Sequence, residues 1–336
     1  MAEIGPKFFK EVKQISRGDI LLRISHQASM QSVYVGSSDA KIYSVDPLAD
    51  KPEFHEFQGH TSYVMGLVDT GKHLVSGSYD RSLIWWDKES REIVRRVEDA
   101  HDRWIRNMFL SPDGQTVLSV GDDMVCKLWD AESGELVREL VSHQKITPNH
   151  FPNMLYATAV SPDGKLIATV DRIAKIKIWD FKTGEEVTEF EAPKCYTWDP
   201  QKRIHSIGGI RSVCFSPDSK SVAVGGIGPI GNIDHLESPG RVEIFNVASG
   251  EKTHEFEGDK KVIGLVEQIV FHPSGKWLMA VGGKETGWVQ FLDLEKKEVI
   301  RQIDAPMHVH QVAVTDDFST VYGAGHGKLI VWSLVQ

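Results

Sequence analysis

Cysteine is scarce: three residues in 336, Cys126, Cys195 and Cys214, odd in number, far apart and without a CxxC pair. That spacing excludes a disulfide framework and a zinc knuckle and makes reduced thiols the plain reading. No apolar run reaches the 18 residues of a membrane-spanning helix. The opening stretch MAEIGPKFFKEVKQISRGD also lacks the apolar core of a signal peptide. A cytoplasmic protein with no membrane partner is therefore expected. Basic residues are outnumbered, 38 Lys and Arg against 47 Asp and Glu, for a net charge of −9. Binding along a phosphate backbone needs concentrated positive charge, so no nucleic-acid partner is expected.

What is plentiful is a short alternating pattern. An apolar run that ends on an aromatic or aliphatic residue recurs as IYSVD, LIWWD, CKLWD, IKIWD, VEIFN, VQFLD and LIVWS. Its key positions are Val45, Trp86, Trp129, Trp179, Phe245, Leu292 and Trp332, with successive differences of 41, 43, 50, 66, 47 and 40. A repeat of about 40–45 residues is that of four-stranded propeller blades. Seven such units fill the chain. Turn signals fall in register with them: Ser111-Pro112-Asp113-Gly114, Ser161-Pro162-Asp163-Gly164, Ser216-Pro217-Asp218-Ser219 and His272-Pro273-Ser274-Gly275 each separate two apolar runs. Proline fixes φ and glycine tolerates positive φ, so these are tight hairpins.

The stretch Gly59-His60 followed by HLVSGSYDRSLIWWD resembles a standard WD repeat, and the likeness extends over nearly the whole chain. The resemblance implies a structural tetrad in each unit: a His before the first strand, a Ser or Thr in the second, an Asp in the next turn and a Trp in the third. His60, Ser76, Asp80 and Trp86 supply one set, and His101, Ser119, Asp123 and Trp129 the next. A third set is partial, with His143, Thr169 and Trp179 but Ile173 where the Asp belongs. The remaining units are mostly degenerate. Despite their Ser-His-Asp content the tetrads are read as scaffolding, because a buried indole N–H needs a partner.

The expected architecture is an all-β, seven-bladed β-propeller, its blades four-stranded antiparallel sheets, forming a single domain over residues 1–336. The final unit stops at its third strand, while residues about 8–15 read as a fourth strand without the three before it. An unpaired edge invites aggregation, so the N-terminal strand is expected to complete the last blade and close the ring.

Loop lengths point to one face. From His101 to Ser111 is 10 residues, but from His143 to Ser161 is 18 and from Pro193 to Ser216 is 23. Ser76 to Trp86 is 10, whereas Val224 to Phe245 is 21. The three insertions are 144–154, 191–209 and 227–240, and in a four-stranded meander all of them project from the same side. They carry Phe151, Tyr196, Trp198, Arg203, His205 and His235. At positions where members of the resembled family commonly touch partners stand Tyr63, Tyr79, Trp104 and Arg172. Trp, Tyr and Arg dominate interface hot spots. Tyr63, Tyr79, Trp104, Arg172, Tyr196, Trp198 and His235 are accordingly the candidate partner contacts.

Three tempting motifs carry less. Gly226-Ile227-Gly228-Pro229-Ile230-Gly231 spells GxGxxG, but a dinucleotide site needs a helix to begin there, and a loop and strand follow. His308-Val309-His310 places two imidazoles on one strand face. No acid or cysteine neighbours them in sequence, though His326 and other distant residues can converge across the central channel. Cys126 and Cys214 read as core residues, and Cys195 as a loop thiol open to exposure. The expectation is a non-catalytic scaffold for a protein or peptide, with no cofactor, no metal and no catalytic residue. The alternative is a small-ligand or metal-binding propeller, in the extreme a hydrolase, with its site in the central channel.

Overall fold

The computed structural model describes residues 3–26, 32–202, 204–205, 209–231 and 237–336. Apart from two single turns of 3-10 helix, Pro6–Phe8 and Pro193–Cys195, every regular element described is a strand. Among the described residues five antiparallel sheets have four strands each. The first is Val64–Asp69, His73–Ser78, Leu83–Asp87 and Ile93–Val97, and the others repeat its meander. Burial grades across each sheet. The second strand is almost wholly buried, as in Thr116–Gly121, while the fourth, such as Leu136–Leu140, presents most of its side chains to solvent.

The first strands touch one another in a closed circuit. It runs from Lys10–His26 through Val64–Asp69, Ile105–Leu110, Leu155–Val160, Ile210–Phe215, Leu265–Phe271 and Val309–Val314 back to Lys10–His26. Side chains stitch neighbours together there. The Ile24 N–H donates to Gln311 Oε1 (2.8 Å), Val312 N–H to Gln268 Oε1 (2.6 Å) and Ile269 N–H to Ser212 Oγ (2.9 Å). Between sheets the faces are apolar: Trp85, Ile105, Val117 and Trp129 share one cluster, and Trp85 Nε1 also reaches the Ala131 carbonyl at 2.9 Å. Each such side chain contributes about 1.5–3 kcal/mol on burial.

The count of sheets corrects the sequence reading. Among the described residues six sheets of four or more strands are present, not seven, because one of them has six strands. Its order is Val309–Val314, Thr320–Ser333, Lys10–His26, Val33–Ser37, Lys41–Val45 and His55–Gln58. Two long strands cause the merger. Lys10–His26 pairs through Lys10–Ser16 with Lys328–Ser333, and through Leu21–His26 with Val33–Ser37. Thr320–Ser333 pairs through Val321–Gly325 with Val309–Val314 before meeting Lys10–His26. The two ends of the chain thus meet by backbone hydrogen bonds. Phe9, 1% exposed, packs its ring 5.0 Å from Phe291 and 5.6 Å from Trp332.

The hairpins follow the sequence signals. Ser111 Oγ donates to Asp113 Oδ1 (2.5 Å) and accepts from the Thr116 N–H (2.9 Å), with Gly114 at φ +73°. Ser161 and Gly164 repeat the arrangement.

Candidate functional site

The tetrads come first, because they decide what the Ser-His-Asp groups do. His60 Nδ1 lies 2.9 Å from Asp80 Oδ2 and its Nε2 2.8 Å from Ser76 Oγ, which accepts from Trp86 Nε1 at 2.8 Å. His101 repeats this with Asp123 (2.9 Å) and Ser119 (2.7 Å), and Trp129 Nε1 donates to Ser119 at 2.9 Å. Ser76 and Ser119 are fully buried, so each hydroxyl is a relay between ring and indole, closed to any substrate. Burial works against the Asp80 charge. The His60 hydrogen bond and charge, with the N–H groups of Thr61 and Ser82, outweigh it and hold the carboxyl well below its ordinary range.

The third tetrad is complete, contrary to the sequence reading. Asp171, two positions before Ile173, takes the acidic role: His143 Nδ1 is 3.0 Å from Asp171 Oδ2 and His143 Nε2 is 2.8 Å from Thr169 Oγ1. Trp179 Nε1 closes the set on Thr169 at 2.9 Å. Asp171 also accepts from Asn153 Nδ2 (3.0 Å), which anchors the 144–154 insertion.

Above this frame the aromatic candidates assemble. Tyr63 stacks on Tyr79 at 5.8 Å, and Tyr79 on Trp104 at 4.5 Å. Tyr63 and Trp104 remain 45% and 49% exposed. Beneath them runs Arg106, which sequence reasoning passed over. Its guanidinium lies 4.8 Å from the Tyr79 ring, 5.2 Å from Trp104 and 5.5 Å from Tyr156, and forks onto Asp122 at 2.7 Å. Burial opposes its charge, yet the Asp122 hydrogen bonds, with Tyr79 and Tyr156, hold its pKa above the ordinary value. Arg211 covers the Tyr156 ring at 4.0 Å. The signal available in the sequence is the Trp104-Ile105-Arg106 run, which sets a cation two residues from an aromatic.

The 191–209 insertion touches the other two. Tyr196 Oη donates to Asn149 Oδ1 at 3.2 Å, and Trp198 meets Phe151 edge-on at 5.6 Å. The Ile230 N–H donates to Thr197 Oγ1 (2.9 Å), and Ile204, Ile227, Ile230 and Leu265 form a small core under the loops. Trp198 is 39% exposed. Arg172, expected at the surface, is instead buried at 7% and donates to the Pro152 carbonyl at 3.0 Å, so it props the 144–154 loop from within. Cys195 is likewise buried, not exposed, and burial pushes its thiol up to about 12. His235 and Arg203 lie outside the described residues. The glycine motif at 226–231 ends a strand and enters a loop, where the Gly228 N–H donates to the Pro239 carbonyl, and no helix begins among its described residues.

Along the axis, Arg23 stretches across the channel. Its Nε donates to the Met65 carbonyl (2.6 Å) and Nη2 to that of Arg106 (3.0 Å), beside a cavity of about 120 Å³ that Arg211, Glu267 and His310 also line. Near the channel His308, His310 and His326 gather, with ring centroids 4.4, 5.1 and 4.9 Å apart. Glu267, 41 residues before His308 and invisible to any local motif, sets Oε1 at 3.1 Å from His308 Nε2 and 3.8 Å from His310 Nδ1. Burial works to raise the Glu267 pKa, but the His308 hydrogen bond and the charges of His308, His310 and Arg211 draw it down to about 2.

Four-stranded meanders whose first strands close a circuit, several locked by a His–Asp–Ser/Thr–Trp relay, define a β-propeller. Residues 51–87 and 93–130, which hold the first two tetrads, match the WD40 family (WD domain, G-beta repeat). The chain is a β-propeller that carries WD repeats over those residues. It is similar to the nuclear distribution protein PAC1 of Arthroderma otae, 36% identical over 104 residues, 28% of this chain and 22% of that one. It is also similar to the small ribosomal subunit protein RACK1 of Candida albicans, 33% identical over 92 residues, 25% of this chain and 29% of that one. The kinesin-like protein KIF21A of Homo sapiens is 27% identical over 145 residues, 42% of this chain and 8% of that one. Each match therefore spans less than a third of the relative. Among the described residues no helix is long and apolar enough to cross a membrane.

Proposed function

We propose that this chain is a non-catalytic scaffold that binds a protein or peptide through the rim carrying Tyr63, Tyr79 and Trp104, extended by the insertions with Tyr196 and Trp198. The observation that carries this is the stack itself. Three large rings from two adjacent sheets are pre-ordered over Arg106, yet two of them remain nearly half exposed. Rings already held in place lose little entropy on contact, which favours them as anchors. Two relatives support the class. One is named as a protein of the small ribosomal subunit and another as a kinesin-like protein, so WD repeats of this kind occur in proteins that work within assemblies or larger chains. In this reading residues 1–336 act as one unit. The six-stranded sheet then serves as two blades joined through Lys10–His26, which divides the ring into the seven sectors implied by the repeat spacing.

A photo-crosslinking residue placed at Trp104 tests the proposal against one placed at Val187, which is 55% exposed on the outer strand Glu186–Glu191. Position 104 is expected to yield a discrete crosslinked protein that position 187 does not. Identical background products from both positions would reject the rim as the docking surface.

A further inference from the structure

We propose that His308, His310 and His326 form a site for a divalent transition metal of the Zn2+ class, with Glu267 as its charge partner. The site owes nothing to the aromatic rim and stands or falls separately from it.

Each of the three rings offers one nitrogen, and these atoms all lie within 4.8 Å of one another. Ligands sharing one tetrahedral ion at bonds of about 2.0–2.1 Å sit about 3.4 Å apart. His326, the exposed member, lies in Thr320–Ser333 just before Gly327 (φ +66°), and rotation of its exposed side chain is the movement that closes that gap. His308, buried just before Val309–Val314, and His310, half-buried within that strand, are held more tightly by Glu267.

Hydrogen-bond accounting around these two rings calls for a cation. His308 Nδ1 faces the Lys284 carbonyl at 2.9 Å and Nε2 faces Glu267 Oε1 at 3.1 Å. Both partners are acceptors, and a neutral imidazole has one N–H to give. The second nitrogen therefore needs an added proton or a metal. A proton here places an imidazolium against two further imidazoles at ring-to-ring distances of 4.4 and 5.1 Å. A metal satisfies all three rings at once. His310 adds an open position, because its buried Nε2 has no hydrogen-bond partner among the described residues. Such a vacancy is costly when left unfilled. The backbone carbonyl on His308 Nδ1 is also the usual outer support of a ligating histidine, fixing the tautomer that presents the other nitrogen.

The ligand set selects the ion. Imidazole suits Zn2+, Cu2+ and Ni2+, whereas Mg2+ and Ca2+ take oxygen shells. Glu267 supplies the negative charge, and among the described residues it forms ion pairs with His308 and His310 alone. The nearby guanidinium groups are otherwise engaged. Arg23 donates to three backbone carbonyls, and Arg211 lies on Tyr156. Their charge weakens the site without occupying it.

The test uses the full chain, stripped with a chelator and titrated calorimetrically with ZnCl2. Saturation at one equivalent is expected, with a rise in melting temperature, while Mg2+ and Ca2+ give no heat. His326→Ala, which removes an exposed ring, should weaken Zn2+ by tenfold or more, by about the factor seen when a metal site is disturbed. His310→Ala should abolish binding, and His55→Ala, on an exposed outer strand, should bind as the parent does. Electron paramagnetic resonance of one equivalent of Cu2+ on the parent protein should show nitrogen hyperfine coupling whether or not His310→Ala folds. Absence of saturable Zn2+ and Cu2+ binding overturns the site. So does equal affinity in the parent and His326→Ala.

Discussion

Trp104 lies flat on Tyr79, ring centroids 4.5 Å apart and planes 10° from parallel, although the two residues belong to neighbouring sheets. The stack ties those sheets at the rim and leaves half the indole in water. Trp104→Ala removes one aromatic pair, worth about 0.5–1.5 kcal/mol. Calorimetry should record a small drop in melting temperature, while capture of the partner found by crosslinking falls tenfold or more. Capture at the parental level would show that the indole is an internal brace and nothing else.

Asp171 should behave as a tetrad acid. Asp171→Ala leaves His143 and Asn153 without a buried acceptor, so a loss of about 2–4 kcal/mol is expected in urea denaturation, like that of Asp80→Ala. Ile173→Asp, at the position where the spacing places the acid, should gain nothing. A neutral Asp171→Ala would remove that residue from the relay.

Acid should weaken the fold through the same carboxyls. Burial works to raise the Asp80 and Asp123 pKa values, but hydrogen bonds and charge from His60 and His101 bring both below the ordinary 3.8. The unfolded chain therefore takes up these protons first as pH falls. The stabilisation is complete above about pH 4 and drains away below it. Denaturation at pH 5 and pH 3 should show a smaller acid loss in Asp80→Asn than in the parent. Equal losses would mean that this carboxyl is not part of the acid response.

Removing residues 1–16 should cost far more than their exposure suggests. The segment pairs with Lys328–Ser333 and places Phe9 between Phe291 and Trp332. The truncated chain is left with a bare strand edge and an empty pocket, so a large fall in melting temperature with aggregation in light scattering is expected. A truncated chain that melts with the full-length protein would show that closure is dispensable.

The thiols should be silent in the folded state. Burial pushes Cys126 and Cys195 up to about 12, and Cys214 upward as well. A thiol-exchange dye should label none of them quickly under native conditions and all three in denaturant. Fast native labelling of Cys195 would reveal that the 191–209 loop opens.

Much of this was legible in the sequence, because WD-type repetition is a one-dimensional signal. The Trp and turn spacing marked the strands, and two tetrads could be read residue by residue. The count of sheets could not, since repeat counting treats Lys10–Ser16 and Leu21–His26 as separate elements where the backbone runs through both. Asp171 escapes a fixed spacing because the acid of that turn sits two residues early. The burial of Arg172 escapes the sequence because loop length does not say which side chains fold back under the loop. Glu267 was out of reach altogether: a carboxylate meets His308 only once Leu265–Phe271 lies beside Val309–Val314, and no local pattern encodes that adjacency.

Pairing Lys10 with Ser333 also sets a timetable for biosynthesis. At about 5–20 residues per second, the ribosome needs roughly half a minute between making the two partners. Throughout that interval the segment around Phe9 stays sticky and unclaimed, so a chaperone that shields it is expected to govern the yield of soluble protein.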